Sequence, residues 1–440
     1  MSDKPKSQND AAWESLFNEY DILGQIDRND QFVISAAQIK KYREPRLMAK
    51  FDHNINLPRI FSENKLAILP ISRGDYVISH FQAYQPFESR DNSVTRANLP
   101  PYLQSLNPDG IPSETIAINC AFASGMLADF LGEDRLFSTV AGRMGSGCFS
   151  FDIAHAGSRA RSHIDVNNSQ IEIDAAFEGF GSLSLLEAKR DISEDFLIRQ
   201  LYYPYRVWRA RVSKKVRPIF LVYSNGIFNL YEYEFEDPSL YNSLVLIRQK
   251  NYSIEDTQIK MADLLDVMKR SHLEREPRMS FPQADKFERV INLCELLPAH
   301  GLSREQVTEE YAFDIRQTNY YTDAGRYLGL IDKSYESGHK PVYVLSKNAR
   351  RILSLPYKQR QLAFCGCILQ HKAFYDTFRL CVARGAIPEK GEIVEIMKQS
   401  DLYHVESEST FERRASTISG WINWMLDLLQ NRSAALEFKY

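Results

Sequence analysis

Residues 171–189 read IEIDAAFEGFGSLSLLEAK, and both halves carry the marks of strands. In the first half Ile171, Ile173, Ala175 and Phe177 interleave with Glu172, Asp174, Ala176 and Glu178, a period of two with one apolar and one acidic face. The glycines of Glu178-Gly179-Phe180-Gly181-Ser182 suit a hairpin connection. In the second half Glu187 and Lys189 lie two apart and so point to one side. Antiparallel pairing then predicts Asp174 near Glu187. Two acids and a lysine at adjacent strand ends are what magnesium-dependent phosphodiester hydrolysis needs. Carboxylate oxygens suit the hard cation. The cation stabilises charge on the phosphate, and the lysine steers or polarises the attacking water. An acidic hairpin face with a solvated lysine would show the same pattern, so the flanking elements decide.

Upstream, residues 113–131 read as a helix and 136–141 and 148–153 as strands. Downstream, Ser193 is placed to cap a helix reaching about Arg211, and strands follow at 218–223 and 227–235. That order, with Asp174, Glu187 and Lys189 in D…ExK positions, resembles the PD-(D/E)xK nuclease superfamily, the core of many type II restriction endonucleases. No proline precedes Asp174.

The resemblance implies an α/β (α+β) restriction-endonuclease-like core with a mixed central sheet over residues 111–274. Asp174 and Glu187 would hold Mg2+, and Lys189 would orient or help deprotonate the water. Gln200 on the next helix matches a polar residue that supports the site in some members. Glu172 could share or take the metal role, and Glu114 or Glu133 could add an acid. The resemblance further implies site-specific cleavage of double-stranded DNA to 5′-phosphate and 3′-hydroxyl ends. A homodimer, a cognate DNA methyltransferase and a prokaryotic cytoplasm go with it. Two rivals stand beside this reading: a modification-dependent or structure-specific nuclease, and a non-catalytic DNA-binding regulator with a degenerate nuclease domain.

Residues 283–356 carry a second signal. An amphipathic helix over 283–297 places Phe287, Val290, Ile291, Cys294 and Leu297 on one face. Ser303…Gln306 and Asp314…Gln317 have capping-box spacing and open two further helices. A hairpin over 332–345 follows, with its turn at 337–340. Helix, helix, helix, hairpin reads as a winged helix-turn-helix in a mainly α-helical C-terminal domain, and it resembles winged-helix segments of prokaryotic DNA-processing proteins. Arg316, Gln317, Asn319, Tyr320 and Asp323 are left to face a DNA groove, where Arg and Gln or Asn pair with base edges. Residues 357–440 are expected to be helical, a candidate second winged helix exposing Arg413 and Arg414.

A 440-residue chain accommodates several domains. Proline and glycine clusters at 100–101 and 107–110 suggest that an N-terminal α+β region ends near residue 110, and 275–282 reads as a second linker. The net charge of −3 is no guide to a local basic face. Basic clusters occur at Arg206, Arg209, Arg211, Lys214, Lys215 and Arg217, at Arg159 and Arg161, and at Lys40, Lys41, Arg43, Arg46 and Lys50. Near a nuclease site these become phosphate contacts, Arg206 and Arg209 foremost. No G-x-x-x-x-G-K-[ST], HExxH or G-x-S-x-G motif appears. The six cysteines lack C-x-x-C spacing and read as free thiols of a reducing cytoplasm. No apolar run approaches the ~18 residues of a membrane span, and the polar N-terminus lacks the apolar core of a signal peptide.

Overall fold

A computed structural model describes residues 7–88, 93–107, 110–311, 313–335 and 341–429. Its centre is a seven-stranded mixed sheet. The strands are β1 (Val94–Arg96), β2 (Phe137–Gly145), β3 (Gln170–Glu178), β4 (Ser182–Lys189), β5 (Lys215–Ser224), β6 (Ile227–Phe235) and β7 (Leu244–Ser253), in the spatial order β1-β7-β6-β5-β4-β3-β2. β4 pairs parallel to β5, and β1 parallel to β7; the other neighbours are antiparallel. A parallel pair needs a crossover, and here helix α3 (Arg199–Arg209) links β4 to β5.

Both faces of the sheet are covered. Helices α1 (Glu114–Ala123) and α2 (Met126–Leu131) pack Ile118, Leu127 and Phe130 against Leu186, Ala188, Ile219 and Leu221. On the other face α3 packs Leu201, Tyr202 and Tyr205 against Leu183, Leu185, Phe220 and Val222. This two-sided burial is why β4 is buried from Ser182 to Ala188 although its sequence, SLSLLEAK, mixes polar and apolar residues. The single helix expected over 113–131 is broken by Gly125, whose φ of 78° starts α2 afresh.

The helix expected from Ser193 begins only at Arg199. Asp195–Leu197 instead forms a strand with Tyr84–Pro86, and the Ser193 hydroxyl donates to the Asp195 carbonyl (3.0 Å). The strands Arg161–Asn167 and Leu244–Ser253 were not anticipated.

The N-terminal unit is built on Trp13, Leu16, Phe17 and Phe61 beneath the sheet Phe32–Ser35, Asp75–Ser79, Ala67–Pro70. Its sheet also buries Ala67, Leu69 and Val77 in the central core. The boundary lies near residue 80 rather than 110, because Tyr84–Pro86 and Val94–Arg96 pair with strands of the core. The second boundary also moves. Helix α4 (Met261–Arg270) packs Leu264, and Ile259 before it, into the C-terminal core, so the central unit ends just after β7 rather than at 274.

That C-terminal unit opens with α5 (Phe287–Leu296), α6 (Arg304–Glu310) and α7 (Ile315–Tyr327). A three-stranded antiparallel sheet sits beside them, with Val342–Leu345 between Leu302–Ser303 and Ile331–Ser334. Ser303 and Gln306 form the anticipated capping box, and Asp314 caps α7 by accepting from Gln317 N (2.7 Å). The expected turn at 337–340 lies outside the described residues. Beyond it come α8 (Lys347–Leu353), α9 (Tyr357–Leu369), α10 (Lys372–Arg384), α11 (Lys390–Lys398) and α12 (Glu408–Asp427). No strand accompanies these among the described residues of 357–429, so the second winged helix expected there is an all-helical bundle around Phe374, Trp421 and Trp424. Among the described residues no helix is long and apolar enough to cross a membrane.

The N-terminal unit is tied to the core through His53. Its Nε2 lies 2.9 Å from the Asp191 carboxylate, and its Nδ1 lies 2.6 Å from the Asp195 carbonyl. Burial opposes charge on this imidazole, but Asp191 and Asp195 outweigh it and push its pKa up to about 10. Removing one member of a buried pair typically costs ~3 kcal/mol, and His53→Ala is expected to destabilise the folded chain by about that much at pH 6. The raised pKa makes the contribution full below the ordinary value of 6.5 and lost as pH rises through about 10. Urea unfolding of both proteins between pH 6 and 10 should show the gap closing toward alkali; a constant gap would contradict the ion pair.

Candidate active site

The β3–β4 hairpin places the predicted triplet. Its register runs from Leu183 opposite Glu178 to Leu186 opposite Ala175, which leaves Asp174 next to Glu187. On its other edge β3 does not keep step with β2. Val140 pairs with Ala176 and Gly142 with Ile173, so β3 carries one extra residue there. This is a β-bulge at Asp174 and Ala175, and a bulge re-aims the side chains it contains. Ile171 and Ile173 therefore join the core beneath α3, while Ala175 and Phe177 join the one beneath α1 and α2. Strict alternation had put all four on one face. The Asp174 carboxylate turns across to accept from the backbone N–H of Ala188 (2.9 Å).

Glu187 is almost fully buried. Its Oε1 accepts from Lys189 Nζ (2.8 Å) and from Gln200 Nε2 (2.8 Å), the latter on the first turn of α3. Burial, helped by the charge of Asp174 and offset in part by Lys189, pushes the Glu187 pKa up to about 7. Burial also raises Asp174 and Glu114, the first residue of α1. Burial works against the Lys189 ammonium, yet Glu187, Asp52 and Glu114 outweigh it and hold the group well above its ordinary value. The charges of Glu187, Asp52 and Glu114 thus favour the protonated form of Lys189.

Among the described residues no group of three His, Cys, Asp or Glu side chains is arranged to enclose a metal. Mg2+ commonly takes only one or two carboxylates and fills its remaining positions with water and phosphate oxygens. Asp174 and Glu187 are the residues that could supply the carboxylates. The buried Gln200 Oε1 beside them has no hydrogen-bond partner among the described residues, as expected of an acceptor awaiting a donor such as metal-bound water.

Other expected residues fall elsewhere. Glu172 stands on the exposed part of β3, paired with Arg143 (3.2 Å), and its charge acts on Asp174. Glu133 braces the hairpin turn, accepting from Phe180 N (3.2 Å) and Ser182 Oγ (2.9 Å) at the end of the strands away from Asp174. Glu114 does lie within electrostatic reach of Lys189 and Asp174. Sequence reasoning missed Lys50 and Asp52. Their segment docks on the loop after β4 through Leu197 N to Asp52 O (2.9 Å), and Lys50 pairs with Asp52 at 3.5 Å. The cluster at 40–50 had flagged Lys50, but no local pattern could assign it to this site.

The basic stretch after α3 divides in two. Lys214, Lys215 and Arg217 are taken by Glu178, Glu234 and Glu232. Arg206, Arg209 and Arg211 instead line a surface cleft of about 440 Å3 with Ser146, Cys148 and Phe149. Arg206 stacks over Phe149 (5.1 Å) and is held by Tyr202 OH (2.7 Å). On α7, Arg316 is exposed and Gln317, Asn319 and Tyr320 are half-buried. Gln317 Oε1 faces Arg289 Nη1 of α5 at 3.5 Å. Burial lowers Arg414 on α12, which feels the charges of Tyr320 and Asp323, so these candidate contacts share one neighbourhood. Arg413 is exposed and turns back on its own helix, with Nε 3.2 Å from Ser409 O.

Replacing Lys189 with Met is expected to push Glu187 further up, since the lysine is what opposes burial there. Difference infrared spectra at pH 7, referenced to Glu187→Gln, should show more protonated carboxyl in Lys189→Met than in wild type. An unchanged band would mean that the two groups are not coupled.

Sequence profiles of three families match the chain: a domain of unknown function (DUF6996) over residues 10–78, a domain of unknown function (DUF6997) over 79–253 and a domain of unknown function (DUF7226) over 289–430. No curated protein and no solved structure matches it. The first two profiles meet where the N-terminal sheet gives way to the core, and the second ends with β7.

Proposed function

We propose that the chain is a Mg2+-dependent DNA endonuclease of the PD-(D/E)xK type, acting as a site-specific restriction enzyme. One observation carries the reading: Asp174 at a bulge, Glu187, Lys189 and Gln200 converge at the ends of two paired strands, buried and rich in carboxylate. A mixed sheet with helices on both faces suits the restriction-endonuclease core. The order α5, short strand, α6, α7 and two paired strands suits a winged helix whose α7 would lie in the major groove.

Asp174 and Glu187 are the residues that would hold Mg2+, which when bound would stabilise charge on the phosphate and acidify a water. Gln200 Nε2 fixes the Glu187 carboxylate and leaves its own oxygen for that water. Lys189, held protonated, is a donor to the nucleophile or the scissile phosphate rather than a base. Arg206, Arg209 and Arg211 would grip the backbone beyond the cut, and Arg316, Gln317, Asn319 and Tyr320 would read the target. One site per chain and two strands to cut call for two chains related by a two-fold axis.

Phage DNA, methylated and unmethylated, incubated with the protein and Mg2+ should yield discrete fragments. EDTA, Asp174→Asn and Lys189→Ala should each abolish them. Cutting that survives Lys189→Ala would place the active site elsewhere, and binding without cutting would favour a DNA-binding regulator. Fragments only from methylated DNA would make the enzyme modification-dependent.

Because a ligating carboxylate must be ionised and Glu187 titrates near 7, Mg2+ binding at pH 7 should release protons, and affinity should fall as pH drops below about 7. Calorimetry in buffers of different ionisation enthalpy reads this directly; zero proton release would remove Glu187 from the metal.

Each phosphate contact contributes about 0.9 to the slope of log K against log salt. The Arg206→Ala/Arg209→Ala/Arg211→Ala variant should therefore flatten that slope by about 2 to 3 if all three grip DNA.

A further inference from the structure

The C-terminal unit touches the residues that directly follow the candidate catalytic strand. Asn292 of α5 is buried, and its amide is used on both sides. Nδ2 donates to the carbonyl of Arg190 (2.7 Å) and to Ser224 Oγ (3.0 Å), and Oδ1 accepts from the backbone N–H of Ile192 (3.0 Å). Arg190 directly follows Lys189. A buried polar side chain is costly unless satisfied, and here the satisfying groups, two of the backbone and one hydroxyl, belong to another unit.

A second contact on the same helix leads the other way. Arg289 lies three residues before Asn292, one turn along α5. It is buried over the rings of Phe313 (4.4 Å) and Tyr321 (5.0 Å), and its Nη1 faces Gln317 of α7. One helix, α5, therefore presents Arg289 to Gln317, on the helix read as the base reader, and one turn later presents Asn292 to the loop that closes β4.

We propose that Asn292 is a positioning residue for the catalytic strand end, through which the seating of α7 on its target sets the placement of Glu187 and Lys189. The proposal rests on the nuclease reading above. Its physical basis is that bonds to backbone on both sides of Asp191 hold the exit of β4 in one path. Releasing them frees Lys189 by a distance small in ångströms and large in rate, since ~1 Å of misplacement can cost ~100-fold.

The test uses the full-length protein and separates binding from chemistry. DNA affinity is measured without Mg2+, and the cleavage rate is measured at saturating protein with Mg2+. Asn292→Ala should bind DNA within about twofold of wild type and cut it about 10- to 100-fold more slowly. Where the alanine variant melts below the assay temperature, Asn292→Gln decides instead. It keeps an amide donor and acceptor on a side chain one methylene longer, and it should show the same split with a smaller loss of rate. Wild-type cutting with an unchanged rate in the variant overturns the inference and leaves the nuclease reading intact. Affinity and rate lost in equal measure overturn it too, because Asn292 would then serve binding alone. Absence of cutting by wild type on any DNA overturns the nuclease reading and the inference with it.

Discussion

A carboxylate almost wholly removed from water is the constraint on which the centre of this molecule depends. An isolated buried charge costs several kcal/mol even after relaxation, and Glu187 meets that cost with two donors on one oxygen, Lys189 and Gln200. Those donors arrive from different elements, β4 itself and the helix that crosses from β4 to β5. The parallel pairing of these strands is therefore part of the site: it demands the crossover, and the crossover delivers Gln200. Lys189 offsets burial only in part, which is why the Glu187 pKa is pushed up to about 7.

Much of this was readable in advance. The hairpin over 171–189 followed from period-two alternation and a glycine-rich turn, and its register put Asp174 beside Glu187. The capping spacings at Ser303 and Asp314 located α6 and α7 to within a residue. What escaped were features that no local pattern encodes. The bulge at Asp174 exists only in relation to β2, so the alternation of Ile171, Ile173, Ala175 and Phe177 looked unbroken while their faces had changed. The Leu244–Ser253 strand carries Arg248, Gln249 and Lys250 mid-run and reads as polar, yet it pairs along its length with β6. Proline and glycine clusters near 100–110 suggested a domain boundary because they mark turns, and turns occur within units as well as between them. Lys50, Asp52 and His53 reach the site across more than a hundred residues of chain, a distance over which spacing carries no signal.

The three units are not beads on a string. Arg43 of the first pairs with Glu309 of the third (3.2 Å), Asn56 donates to the Tyr311 carbonyl (3.0 Å), and Glu295 of the third accepts from Ser224 and Asn225 of the core. Glu295 is half-buried with these partners, which stay satisfied only while the units remain docked. Relative motion of the units therefore has a cost in broken buried polar contacts, and it is paid at the edges of the candidate active site.

The segment that follows β4 takes its support from His53 on one side and Asn292 on the other, residues separated by more than half the chain. Domains emerge from the ribosome N-terminal first and fold largely as units. The acidic hairpin and α3 are made well before α5, so a nascent chain can hold its central sheet while the exit of β4 still lacks half its bracing. Full bracing of this segment is in this way deferred until α5 has been made. A fragment ending before α5 would keep Asp174, Glu187 and Lys189 in its covalent sequence without the frame that aligns them.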